Sequence, residues 1–148
     1  MRGSPVTDKL TELVAFGHAQ LLGIERMDDT HREFVALCAA AGSAQGSEFV
    51  AALRRLFEHT QAHFRDEETL MRESGFPATA EHSGEHQRVL GELHRFLMRA
   101  EAGHGQLARA WIRDAVPEWF RSHLLSMDSA LAAHLKIIRG GGHVRLRV

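Results

Sequence analysis

A single cysteine, Cys38, excludes an internal disulfide framework and suits a reducing compartment. Tyrosine is absent and proline occurs only 3 times in 148 residues. No stretch approaches the ~18 consecutive apolar residues that a membrane-spanning helix needs. The N-terminus carries Arg2 and Lys9 but no apolar run of signal-peptide length. A cytoplasmic protein is expected. Charge of neither sign prevails: 18 basic and 19 acidic side chains leave a net charge of −1. Nothing electrostatic therefore argues for a nucleic acid or an anionic membrane as partner. The one local bias, a basic tail with Lys136, Arg139, Arg145 and Arg147, reads as a solvated terminus. Alternating strand pattern, internal repeats and low-complexity segments are missing too.

Histidine is the residue present in excess, with 11 copies. The length suits one domain over 1–148, and 44% hydrophobic residues suffice for a core. Residues 1–27, punctuated by Gly3, Pro5, Gly17 and Gly23, read as an extended arm with at most a short helix, lying across the body. Four segments then show helical period. The first starts at Asp28 or Asp29 as N-cap and runs to about Ala41, with Phe34, Val35, Cys38 and Ala41 on the side of His31. Cys38 on that face reads as a small buried apolar residue. The second runs from Ser47 to about Ser74 before Gly75 and Pro77, and the third from about Thr79 to Ala102. The fourth runs from about Gln106 to Ile137 or Ile138, with Pro117 expected to kink it and 139–148 as tail. Long amphipathic helices with short connections predict an all-α, antiparallel up-down four-helix bundle.

Spacing gives the histidines a purpose. His63 and Glu67 are four apart on the second helix, and His82 and His86 repeat that spacing on the third. Each pair presents two donor atoms on one face. His31 lies three residues after Asp28 on the first helix, and the fourth carries His123 and Asp128. Their five-residue spacing rotates Asp128 by roughly 140° from His123 on a regular helix, so the carboxylate could reach a second metal. One such pair alone is ordinarily surface or satisfied core. Five histidines and two carboxylates turned into one core are costly to bury unless metal ions compensate them. Glu68 should point off this face, and His59 either supports the site or lies on the surface. His18, His94, His104, His134 and His143 have no partner at ligand spacing and read as surface.

The ordered set Gly23-Ile24, Asp28-x-x-His31, His63-Phe64-x-x-Glu67-Glu68-x-x-Met71, His82-x-x-x-His86 and Trp119-x-x-x-His123-x-x-x-x-Asp128 resembles the hemerythrin family, specifically its single-domain bacterial members. The resemblance runs from about Leu22 to about Leu135. It implies two iron ions joined by an oxo or hydroxo bridge. His82, His86 and His123 would bind one, His31 and His63 the other, and Glu67 and Asp128 both. Counted this way, one iron has six positions filled and the other five, and the vacancy would take O2. An apolar lining would hold back water there, with Phe34, Phe64, Trp119, Leu124 and Met127 as candidates within one turn of a ligand. The chain departs from the family pattern at Phe16, where a tryptophan is common, at Thr30, where a glutamine is common, and at Pro117.

The function expected is reversible O2 binding for storage, delivery or sensing, with no catalytic residue. The alternative is a di-iron enzyme or detoxifier acting on peroxide, nitric oxide or ferrous iron. Ferritin-like oxidases use two Glu-x-x-His motifs, and here only Glu101 and His104 match, at a glycine-flanked helix end. A purely structural metal would leave the unequal coordination without purpose. No motif assigns a protein partner, and a monomer or weak homo-oligomer is expected.

Overall fold

The computed structural model describes residues 5–140, all of whose regular structure is helical. The tail residues Arg145 and Arg147, and with them His143, lie outside the described residues. Helix α1 is Pro5–Ala19, α2 Glu25–Ser43, α3 Ser47–Ser74 and α4 Thr79–Glu101. A final helix, α5, is assembled from five consecutive stretches. Gln106–Ala110, Val116–His123 and Ser129–Gly140 are α-helical, while Trp111–Ala115 and Leu124–Asp128 are π-helical turns. No described helix is long and apolar enough to cross a membrane.

Helices α2, α3 and α4 pack in chain order, and α5 closes the bundle against α4 at its start and α3 at its end. Helices α3 and α4 keep the boundaries their sequence suggests because glycine follows each end, Gly75 and Gly103. Gly75 adopts φ 68°, a left-handed conformation that L side chains resist. The Phe76 N–H then donates back to the Met71 carbonyl at 3.0 Å, satisfying an end-of-helix acceptor.

The first expectation to fall is the extended arm. Residues Pro5–Ala19 form a 15-residue helix that lies on α2 and on the 111–123 part of α5. Gly17 does not punctuate it. It is a contact point, where a Cβ would sit 3.0 Å from Val35 Cγ2. Leu10 and Leu13 of α1 are buried with Val35, Ala41 and Phe120 in the common core. Asp28 is likewise not an N-cap. Helix α2 begins one turn earlier, with Ile24 extended at its cap. The buried Asp28 carboxylate instead accepts from the Leu22 N–H at 2.8 Å and the Gly23 N–H at 3.1 Å, tying the preceding loop to the helix.

Pro117 lies two residues past the end of the first π turn, inside the first turn of Val116–His123. The wider turn lies where the missing proline N–H would otherwise break an α-helical ladder.

Candidate metal centre

All seven predicted ligands converge in the bundle interior, none more than 7% exposed. His31 comes from α2, His63 and Glu67 from α3, His82 and His86 from α4, and His123 and Asp128 from α5. Ligand atoms of Glu67, His82, His86, His123 and Asp128 lie within 4.8 Å of one another, as do those of His31, His63 and Glu67.

The two carboxylates divide their oxygens between these groups. Glu67 Oε1 is 3.4 Å from His82 Nε2 and 3.3 Å from His86 Nε2, while its Oε2 is 2.7 Å from His63 Nε2 and 3.5 Å from His31 Nε2. Asp128 Oδ1 is 3.1 Å from His82 Nε2 and 3.2 Å from His123 Nε2, and its Oδ2 is 3.1 Å from His31 Nε2. The second π turn explains how Asp128 reaches that place. In a π-helical turn the hydrogen bonds run from i to i+5, which brings five-apart residues onto one face. Regular helix geometry predicted a large rotation between His123 and Asp128. The structure removes it by widening the turn between them.

Whether cations fit can be read from the polar atoms left over. The Nε2 atoms of His31, His82, His86 and His123, Glu67 Oε1 and both Asp128 oxygens are buried and make no hydrogen bond. Such atoms are expensive to bury unless something else coordinates them. Imidazole nitrogens with two carboxylates form a donor set that suits a first-row transition metal. The residues fit.

Without metal, protons take over part of the compensation. Burial pulls the His31 imidazolium down, but the facing carboxylates of Asp128 and Glu67 outweigh it and raise its pKa from 6.5 to about 9. His82 rises to about 9 by the same balance. Burial pushes Glu67 and Asp128 up, yet the facing histidines hold both below the ordinary carboxylate range. A histidine pKa raised on folding contributes stability that is complete below its unfolded value of 6.5 and is lost as pH rises through about 9. The metal-free protein should therefore show a falling thermal midpoint between pH 7 and 9.5, while the metal-loaded protein, whose protons the cations displace, should not. Scanning calorimetry on both forms checks this.

Neighbours hold these side chains in place. The Glu68 carboxylate accepts from His86 Nδ1–H at 3.3 Å, which turns the Nε2 lone pair toward the site. The Phe64 ring stacks on His86 at 3.8 Å, and Trp119 stacks on His123 at 4.8 Å. The Trp119 indole N–H donates to Glu85 at 2.6 Å. Of the proposed lining, Phe34, Phe64 and Trp119 gather around the ligands through ring contacts. Leu124 is fully buried in the general core, and Met127 is half-buried.

Two residues escaped the sequence reading. Phe120 stacks on Phe34 at 5.2 Å and meets His31 edge-on at 5.7 Å. Its position three before His123 carried the signal. Glu85 carried none, since its bond to Trp119 crosses from α4 to α5. His59 donates from Nε2–H to the Thr30 carbonyl at 3.3 Å, and burial lowers its pKa. His134, expected at the surface, is half-buried and donates to the Ser74 carbonyl at 2.9 Å, pinning α5 to the end of α3. His18, His94 and His104 are exposed.

At the His31–His63 end, a cleft of about 10 Å³ touches His63 and Glu67 and is rimmed by Arg26, Met27, Thr30, Asp66 and Leu70. That volume is close to what one water-sized molecule needs.

The family model described as Hemerythrin HHE cation binding domain matches residues 22–135. A bacteriohemerythrin of Ralstonia nicotianae is 32% identical over 123 residues, covering 83% of this chain and 89% of its own. Bacteriohemerythrins of Stenotrophomonas maltophilia and Methylococcus capsulatus are 28% and 27% identical, over 78% and 68% of this chain and 76% and 79% of theirs. No solved structure gives a significant match.

Proposed function

The chain belongs to the hemerythrin family, and from that premise we propose that it is a non-heme di-iron protein that binds O2 reversibly, acting as one domain. The observation that carries this reading is the division of the Glu67 and Asp128 oxygens between a three-histidine and a two-histidine group. Iron at both groups would supply the reversible electron transfer on which O2 binding depends.

The chain's own residues do the rest. His82, His86 and His123 would hold one cation, His31 and His63 the other, with Glu67 and Asp128 offsetting the charge of both. Glu68 keeps the proton of His86 on Nδ1, so Nε2 stays free to coordinate. Trp119, held by Glu85, packs against His123 and Phe34. With Phe64 and Phe120 it surrounds the ligands with apolar surface, which excludes water and the protons that water would deliver to the site. The small cleft beside His63 has room for a water-sized or diatomic molecule.

The test is optical. Reduced anaerobically and then exposed to air, the iron-loaded protein should develop a visible charge-transfer band that fades when O2 is removed and returns on a second exposure. Oxidation within the mixing time, with no recovery, would transfer the site to the enzyme reading.

A further inference from the structure

Among the described residues, every buried side-chain polar atom without a hydrogen bond belongs to the proposed ligands, with one exception, the hydroxyl of Thr60. Thr60 is fully buried. Hydroxyls within helices usually return to the carbonyl four residues back, and in this chain Thr30, Thr69, Ser43, Ser126 and Ser129 all do so. Thr60 does not. A hydroxyl that neither bonds to its own helix nor reaches water is destabilising where it stands, so its position calls for a partner outside the chain.

Its place in α3 indicates which partner. Thr60 lies three residues before His63 and seven before Glu67, and seven residues fall ~20° short of two full turns. It therefore occupies the inward face that carries both ligands, one turn beyond His63. His63 belongs to the two-histidine group, the end at which unequal coordination of two irons would leave room. We propose that the Thr60 hydroxyl is a specificity residue that donates a hydrogen bond to a small diatomic or anionic ligand seated at the His31–His63 end. This rests on the O2-binding reading above and adds to it a polar contact inside an otherwise apolar lining. Such a donor slows escape of a ligand that gains negative charge when bound, and gives no comparable help to a neutral one.

Thr60→Val keeps the shape of the side chain and removes the donor. The variant should release O2 roughly tenfold faster than the parent, with association changed by less than about twofold. Thr60→Ser should return the release rate to within about threefold of the parent. Thr60→Ala, a second hydroxyl-free variant, should release O2 as fast as Thr60→Val. The metal-free protein supplies an independent readout: its thermal midpoint should be unchanged or raised in Thr60→Val. A midpoint lowered in Thr60→Val and restored in Thr60→Ser would reveal an internal partner for the hydroxyl and overturn the proposal. Unchanged release rates in both hydroxyl-free variants, in a parent that does release O2, would overturn it while leaving the O2-binding reading intact. A parent that never releases O2 defeats that reading and this proposal together.

Discussion

Replacing His82 by alanine is expected to reduce bound iron from about two ions per chain to below about one and to remove most of the stability that iron confers. His82 is the histidine most deeply shared between the two carboxylates. Its Nε2 lies 3.1 Å from Asp128 Oδ1 and 3.4 Å from Glu67 Oε1, and the side chain is 1% exposed. Alanine leaves both carboxylates facing a gap too enclosed for bulk water. The loss is then twofold: a donor to one cation disappears, and buried negative charge loses part of its compensation. Breaking a buried charged network from one side costs about 3–5 kcal/mol. His104→Ala is the matched control, because His104 is exposed and lies outside the site. Iron analysis after gel filtration, with thermal unfolding of loaded and metal-free protein, reads both effects. Iron content equal in His82→Ala and His104→Ala would remove His82 from the site.

The second large effect is expected at Phe120. The ring is 2% exposed and sits between three partners: Phe34 at 5.2 Å, His31 at 5.7 Å and Phe16 at 6.3 Å. Phe16 comes from α1, and Arg121 covers its other side at 4.3 Å. Phe120 thus joins the N-terminal helix to the wall of the metal centre. Phe120→Ala should cost about 3–5 kcal/mol through the cavity it leaves. It should also admit water beside His31, so that the iron-loaded protein oxidises in air several-fold faster than the parent. Phe120→Leu fills most of the space and should recover most of the stability. Chemical denaturation measures the first effect and the decay of the visible band the second. Unchanged air oxidation in Phe120→Ala would mean that this ring does not guard the site.

The helices that carry the i,i+4 pairs were the most legible part of the sequence. His63–Glu67 and His82–His86 lie on long regular segments, α3 and α4, whose glycine ends are written in the sequence. There, local chemistry and tertiary structure agree. Legibility failed where the backbone left regular geometry. Nothing between His123 and Asp128 announces that the turn is π-helical, so regular helix arithmetic rotated Asp128 away from its partner, and the structure returned it. The stretch Pro5–Ala19 was misread for a different reason. Gly17 breaks helices in isolation, but in α1 it is the surface that lets Val35 approach, a packing requirement invisible along the chain. The supports of the site were partly hidden too. Phe120 could be inferred from its distance to His123, whereas the Glu85–Trp119 bond joins two helices and exists only once they pack. Thr60 was concealed by its company, a hydroxyl within an apolar stripe whose lack of a partner only coordinates could reveal.

The most direct test of the whole account counts gas against metal. Iron-loaded protein, reduced and oxygen-free, is titrated with O2 while uptake and iron content are measured together, and the sample is then flushed with argon. One O2 per two irons, recovered on flushing, is the predicted result. O2 consumed without recovery, or uptake in proportion to each iron separately, would contradict a paired site with one vacancy.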